Sequence, residues 1–157
     1  MKVYIMADME GISGIVDIAY MDKASDFYRS GRTLMTLDIN AAVQGCFDAG
    51  ASEVWVRDAH STGNNVETAL LDPRVTLDKD TGVWTAGLDA DFDATMIVGQ
   101  HAMAGTLNGF LDHTMSSASW FEYRINNKRV GEIGMWATMA AHHDVPLIYL
   151  AGDQAAC

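Results

Sequence analysis

The 157-residue chain is short of cysteine, proline and positive charge, and each shortage narrows what it can be. Its two cysteines, Cys46 in a helical stretch and Cys157 at the end, make neither a disulfide framework nor a CxxC metal site. Cys46 reads as a small core residue. Ten Lys and Arg stand against 21 Asp and Glu, a formal net charge of −11. A chain so acidic repels a phosphate backbone, which argues against nucleic acid as a partner. No apolar run nears the ~18 residues a membrane span needs. Met1-Lys2 leads straight into a short strand instead of a signal sequence, so the expectation is a cytoplasmic protein with no membrane partner.

What is present is an alternation of strands and helices in a length that suits one domain with a single core. Four short runs, 3–7, 53–57, 94–98 and 147–151, are rich in Val, Ile or aromatic residues and bounded by Gly, Asp or Pro, the marks of buried strands. Residues 33–49 carry helical spacing through Leu34, Leu37, Ala41 and Phe47, with Gly50 as the stop. Residues 132–142 predict a second helix, with Ile133, Trp136, Met139 and Ala140 on one face. Smaller features are a helical segment at 65–71 ended by Asp72-Pro73, an edge strand at 75–77, and a hairpin at 124–130 turning on Asn126-Asn127. Together they predict an α/β fold: three layers, a mostly parallel sheet with helices on both faces, and a ligand site at the carboxyl ends of the strands.

Polar residues gather at those ends. The first strand runs into Asp8-Met9-Glu10, and side chains two apart in an extended chain share a face, so the two carboxylates converge. Two anions held together need a proton or a cation between them. His60 follows the second strand and His101 the third. A single histidine in such a place is more often a hydrogen-bonded loop or core residue than a ligand. Three strand ends carrying Asp, Glu and His together form the donor set of catalytic zinc and its neighbours. Glu132, at the start of the second helix between Gly131 and Ile133-Gly134, suits either metal ligation or the helix dipole. His113, in Leu111-Asp112-His113-Thr114, reads locally as an exposed loop residue able to carry or position a proton.

These segments, in order, resemble the M55 metallopeptidases, the D-aminopeptidase family: 3–14 with Asp8-Met9-Glu10-Gly11, Arg57-Asp58-Ala59-His60-Ser61, Gly99-Gln100-His101-Ala102, His113-Thr114, Val130-Gly131-Glu132, and Asp144-Val145-Pro146 followed by Ala151-Gly152-Asp153. The resemblance implies two zinc ions per chain bridged by Asp8, one completed by Glu10 and His60, the other by His101 and Glu132. It further implies His113 as an active-site nucleophile or proton carrier. Three such carboxylates against two divalent ions leave about one positive charge, enough to favour a developing oxyanion.

The expected activity is aminopeptidase cleavage of an N-terminal D-residue from short peptides of the D-Ala-D-Ala kind, by water activated at a dinuclear site. The expected assembly is a homo-oligomer, in the family a ring decamer. Asp112 departs from the Ser common beside the family's histidine, and placed against the imidazole it would raise the His113 pKa. Family members continue into a second C-terminal domain, so residues 1–157 are expected to be the metal-binding catalytic domain with that second domain absent. Two rival readings are a dinuclear phosphoesterase and a non-catalytic metal-binding or assembly fragment.

Overall fold

In the computed structural model, which describes residues 1–79, 84–85 and 87–157, five parallel strands form one sheet. They are β1 (Lys2–Ala7), β2 (Glu53–Asp58), β3 (Thr76–Asp78), β4 (Ala94–Gln100) and β7 (Leu147–Gly152), in the spatial order β3-β2-β1-β4-β7. Helix α1 (Asp26–Asp48) links β1 to β2, and α2 (Glu132–His142) precedes β7. The strand order reverses beside β1, and open α/β sheets place ligands at the carboxyl ends beside such a switch.

The two sheet faces follow from the period of two along β1. Val3, Ile5 and Ala7 pack with Met35, Ile39 and Val43 of α1, while Tyr4 and Met6 pack with Trp136 and Ala140 of α2. Helices therefore cover both faces, as the strand–helix alternation implies. Each large aliphatic side chain buried this way contributes roughly 1.5–3 kcal/mol, so the two clusters hold the strand ends firmly in place. Trp136 also donates through its indole nitrogen to Thr95 Oγ1 at 2.9 Å, which satisfies the one polar atom of the largest fully buried side chain.

The sequence-derived strands stand within two residues of those observed, and 75–77 is the edge strand β3, shifted by one. The hairpin at 124–130 is present as β5 (Arg124–Ile125) and β6 (Lys128–Arg129), with Asn126 and Asn127 both at positive φ, as a tight two-residue turn requires. Two expectations are corrected. Helix α1 begins at Asp26, well before 33, because Ser25 caps it by accepting from the Phe27 amide. Residues 65–71 form turns instead of a helix, a segment tied to β2 and α1 where the side chains of Asp58 and Thr36 accept the backbone amides of residues 65–67. Among the described residues no helix is long and apolar enough to cross a membrane.

Candidate metal centre

β1 is buried from Val3 to Ala7, and the chain past it stays beside β4: Asp8 N–H donates to Val98 O at 2.8 Å and Gly11 N–H to Gly99 O at 2.7 Å. Met9 points into the α1-side core, so Asp8 and Glu10 both turn toward the sheet edge. His60 lies beyond β2 and His101 directly follows β4, on either side of them. Glu132 opens α2, where the Gly131 cap has no side chain to compete for the helix end. His113 comes from the loop after β4. All six lie around one cavity of about 430 Å³.

The donors fall into two groups that share Asp8. On one side His60 Nδ1 stands 2.9 Å from Glu10 Oε2 and 3.3 Å from Asp8 Oδ1. On the other, His101 Nε2 stands 3.4 Å from Asp8 Oδ2 and 3.3 Å from Glu132 Oε1. Donor atoms on a tetrahedral ion with bonds of 2.0–2.1 Å lie ~3.3–3.4 Å apart, so these separations fit zinc. The ligand atoms of Asp8, Glu10 and His60 lie within 4.8 Å of one another, as do those of His101, His113 and Glu132. The two Asp8 oxygens face different groups, which is the geometry a bridging carboxylate needs.

Two of the three histidines are oriented by the hydrogen bond of their second nitrogen. His101 Nδ1 donates to Ala102 O at 2.9 Å and His113 Nδ1 to Leu111 O at 2.8 Å, leaving both Nε2 atoms for the cavity. The two rings stack with centroids 3.7 Å apart at 14°. His113 Nε2 stands 3.8 Å from Glu132 Oε1, which also accepts the Met115 amide at 2.7 Å. The condition under which Asp112 would act on the imidazole is not met. The Asp112 carboxylate accepts the Gly105 amide at 2.7 Å, and the acid paired with His113 is Glu132.

Without a metal ion, the charges balance by protons. Burial raises the Asp8 carboxyl to about 7, helped by the Glu10 charge beside it. Burial pushes Glu10 upward too, but its hydrogen bond and charge contact with His60 prevail and hold it at about 2. Burial lowers His60 and His101, yet the carboxylates facing them win and raise them to about 10 and about 9. A site that draws protons this strongly onto imidazoles among acids is a site for cations.

One functional candidate escapes a reading of titratable residues. Gln100, wholly buried, donates from Nε2 to Asp8 Oδ2 at 2.9 Å. A polar residue in an otherwise apolar strand, immediately before His101, is the trace it leaves in the sequence. Met21, Ala59, Ser61, Trp84, Met115, Ser116 and Ser117 complete the described cavity wall.

The sequence model of the M55 peptidases, described as D-aminopeptidase, matches residues 1–157. The D-aminopeptidase of Bacillus subtilis (strain 168) is 38% identical over 159 residues, covering 99% of this chain and 57% of its own. The solved structure of Zn-dependent D-aminopeptidase DppA from Bacillus subtilis, described as a self-compartmentalizing protease, superposes with a TM-score of 0.93 at 36% identity, over 99% of this chain and 57% of that one. The chain thus spans somewhat more than half the length of the relatives it matches.

Proposed function

The chain belongs to the M55 family of D-aminopeptidases, and from that premise we propose that residues 1–157 are the catalytic domain of a zinc-dependent enzyme that removes N-terminal D-residues from short peptides. The observation that carries this reading is the pair of donor groups meeting at Asp8. Glu10 and His60 would hold one zinc ion and His101 and Glu132 a second, with Asp8, which faces both groups, as the ligand they would share. Zinc bound there supplies Lewis acidity for the scissile carbonyl and a water acidic enough to attack near neutral pH.

The remaining steps belong to side chains. His113, with Nδ1 committed to Leu111 O, presents Nε2 to the cavity and passes a proton to the leaving amine. Its stack on His101 and its contact with Glu132 keep that nitrogen in place. The Met115 amide holds Glu132 Oε1, which fixes the carboxylate as a ligand. Trp84 and Met115 help to wall the cavity from water. By likeness to its self-compartmentalizing relative, the chain works as a homo-oligomer.

A phosphoesterase is the weaker reading, because the cavity wall carries no Lys or Arg among the described residues to hold a phosphate. The test incubates zinc-loaded protein with D-Ala-D-Ala, L-Ala-L-Ala and p-nitrophenyl phosphate, alongside metal analysis and sedimentation. The proposal expects about two zinc ions per chain, an oligomer, and cleavage of the D-peptide first. Faster turnover of the phosphate ester sinks it. So does full zinc loading with no peptide cleavage, which would favour a non-catalytic metal-binding fragment.

A further inference from the structure

A second cavity, of about 470 Å³, opens beside the metal pocket at the carboxyl ends of β2 and β3. Ala59, Ser61 and Trp84 line both, so the two hollows adjoin in one cleft region along the sheet edge. The volume is within the roughly 300–1,000 Å³ of small-molecule sites.

The chemistry changes along the cleft. The metal pocket is acid and imidazole, whereas the second cavity has Arg57 and Lys79 in its wall, in a chain with only ten basic residues. The two acids among its described wall residues have partners in the fold. Asp58 accepts the amides of Asn65 and Val66 and the Asn65 side chain, and Asp78 accepts the Tyr4 hydroxyl and pairs with Arg57 at 3.2 Å. Lys79 is exposed, and Lys23 Nζ reaches the same wall by donating to Thr62 Oγ1 at 3.3 Å. The hollow on the opposite side of the metal pocket, about 230 Å³ behind His101 and Glu132, has no Lys or Arg among its described walls.

The wall is also preformed. Ser61, Gly63 and Asn64 hold positive φ, a conformation fixed by the fully buried Asn65, whose side-chain amide donates to Asp58 and to the His60 carbonyl. The loop that shapes the second cavity is therefore tied to His60 in the first.

From this asymmetry we infer that the second cavity receives the leaving-group end of a short peptide and that Lys79 and Lys23 attract its terminal carboxylate. The inference rests on the aminopeptidase reading for the direction of the chain, and it makes a free carboxylate, one or two residues past the cleaved bond, a determinant of specificity.

The test has a binding arm and a hydrolysis arm, both on zinc-loaded protein. Calorimetry compares glycylglycine with its C-terminal amide, and kinetics compare D-Ala-Gly with D-Ala-Gly amide, for the unaltered chain, Lys79→Met, Lys23→Met and the hairpin control Lys128→Met. The acid is expected to bind about tenfold more tightly than the amide, the scale of one modest charge contact. That preference should fall toward unity in Lys79→Met, decrease in Lys23→Met and persist in Lys128→Met. Equal binding of acid and amide, or a preference untouched by both cleft substitutions, overturns the inference even where D-peptides are cleaved. A preference that obeys the lysines while neither peptide is cleaved upholds the carboxylate site and removes the aminopeptidase reading.

Discussion

Gln100 Nε2 donates to Asp8 Oδ2 at 2.9 Å, where neither side chain has appreciable contact with water. That oxygen is the one facing His101, so the amide sets which way the carboxylate turns. Gln100 Oε1 has no hydrogen-bond partner. Replacing Gln100 by Leu removes that buried acceptor together with the donor, which spares the metal-free fold much of the usual penalty. The expected outcome is a melting temperature of the metal-free chain close to the original, with zinc affinity on the His101 side lowered about 10–100-fold. Chelator competition measures the affinity; an unaltered affinity removes the positioning role.

Asp8 and Glu10 sit two residues apart but have unequal surroundings. Asp8 reaches His60 with one oxygen and His101 with the other, while Glu10 reaches His60. Asp8→Ala should therefore abolish both zinc sites, and Glu10→Ala should leave about one ion per chain. Metal analysis after dialysis reads the difference. Equal loss in the two variants contradicts a bridge.

His113 is close enough to His101 and Glu132 to be a third ligand of that group, yet its place in the loop also suits proton transfer. The proton role predicts that His113→Ala keeps both zinc ions and loses turnover by about 10²–10⁴-fold. Single-turnover rates paired with metal content decide it, since loss of one ion would make the residue a ligand.

Asp8, His60 and His101 all hold protons more tightly in the folded metal-free chain, so their pH dependences share one sign. The raised Asp8 carboxyl is ionised with growing penalty as pH rises from its ordinary value near 4 toward 7. His60 and His101, with folded values of about 10 and about 9, stabilise fully below an unfolded value near 6.5 and lose that contribution as pH rises through the folded values. Metal-free stability should thus fall from pH 5 to pH 10. Zinc must displace those protons, so the rise in melting temperature that it produces should grow over the same range. Calorimetry at pH 7 in buffers of different ionisation enthalpy should record proton release on zinc binding; proton uptake would contradict the assignment.

Much of this site is legible in the sequence because its parts stand where apolar runs stop. Val3 to Ala7 and Ala94 to Val98 are buried on both sides, so their strands show as largely apolar runs, and Asp8, Glu10 and His101 stand within three residues of where those runs stop. Glu132 and His113 are harder: each touches the site only because α2 and the loop after β4 fold back over the sheet edge. Gln100 has no distinctive spacing, and its role exists only once β4 lies beside β1. The helix expected at 65–71 fails for a related reason. Asp58 at the end of β2 and Thr36 on α1 tie the amides of residues 65–67 to other elements through contacts that exist only in the folded chain.

Gly99 joins the two strands that carry the centre, and its backbone permits no side chain. Its φ is +81°, and a Cβ there would lie 2.2 Å from the Asp8 carbonyl oxygen and 2.5 Å from Ile12 Cδ1. The first obstacle is main chain, which can yield only by moving the Asp8 backbone away from β4. Left-handed strain alone costs an L-residue about 1–3 kcal/mol, and the displacement adds to it. Gly45 makes the contrast: it lies on the exposed face of α1, has nothing within 4 Å of an added Cβ, and should gain about 0.5–1 kcal/mol on replacement by Ala. Urea unfolding of the metal-free chain should therefore show Gly99→Ala destabilised by at least 2 kcal/mol, roughly the middle of the strain range, and Gly45→Ala stabilised. Because the strain moves Asp8, Gly99→Ala should also bind zinc poorly under conditions where it is still folded. Normal zinc binding in a folded Gly99→Ala variant would show that the centre tolerates a displaced Asp8 and would sever the link between strand register and metal geometry.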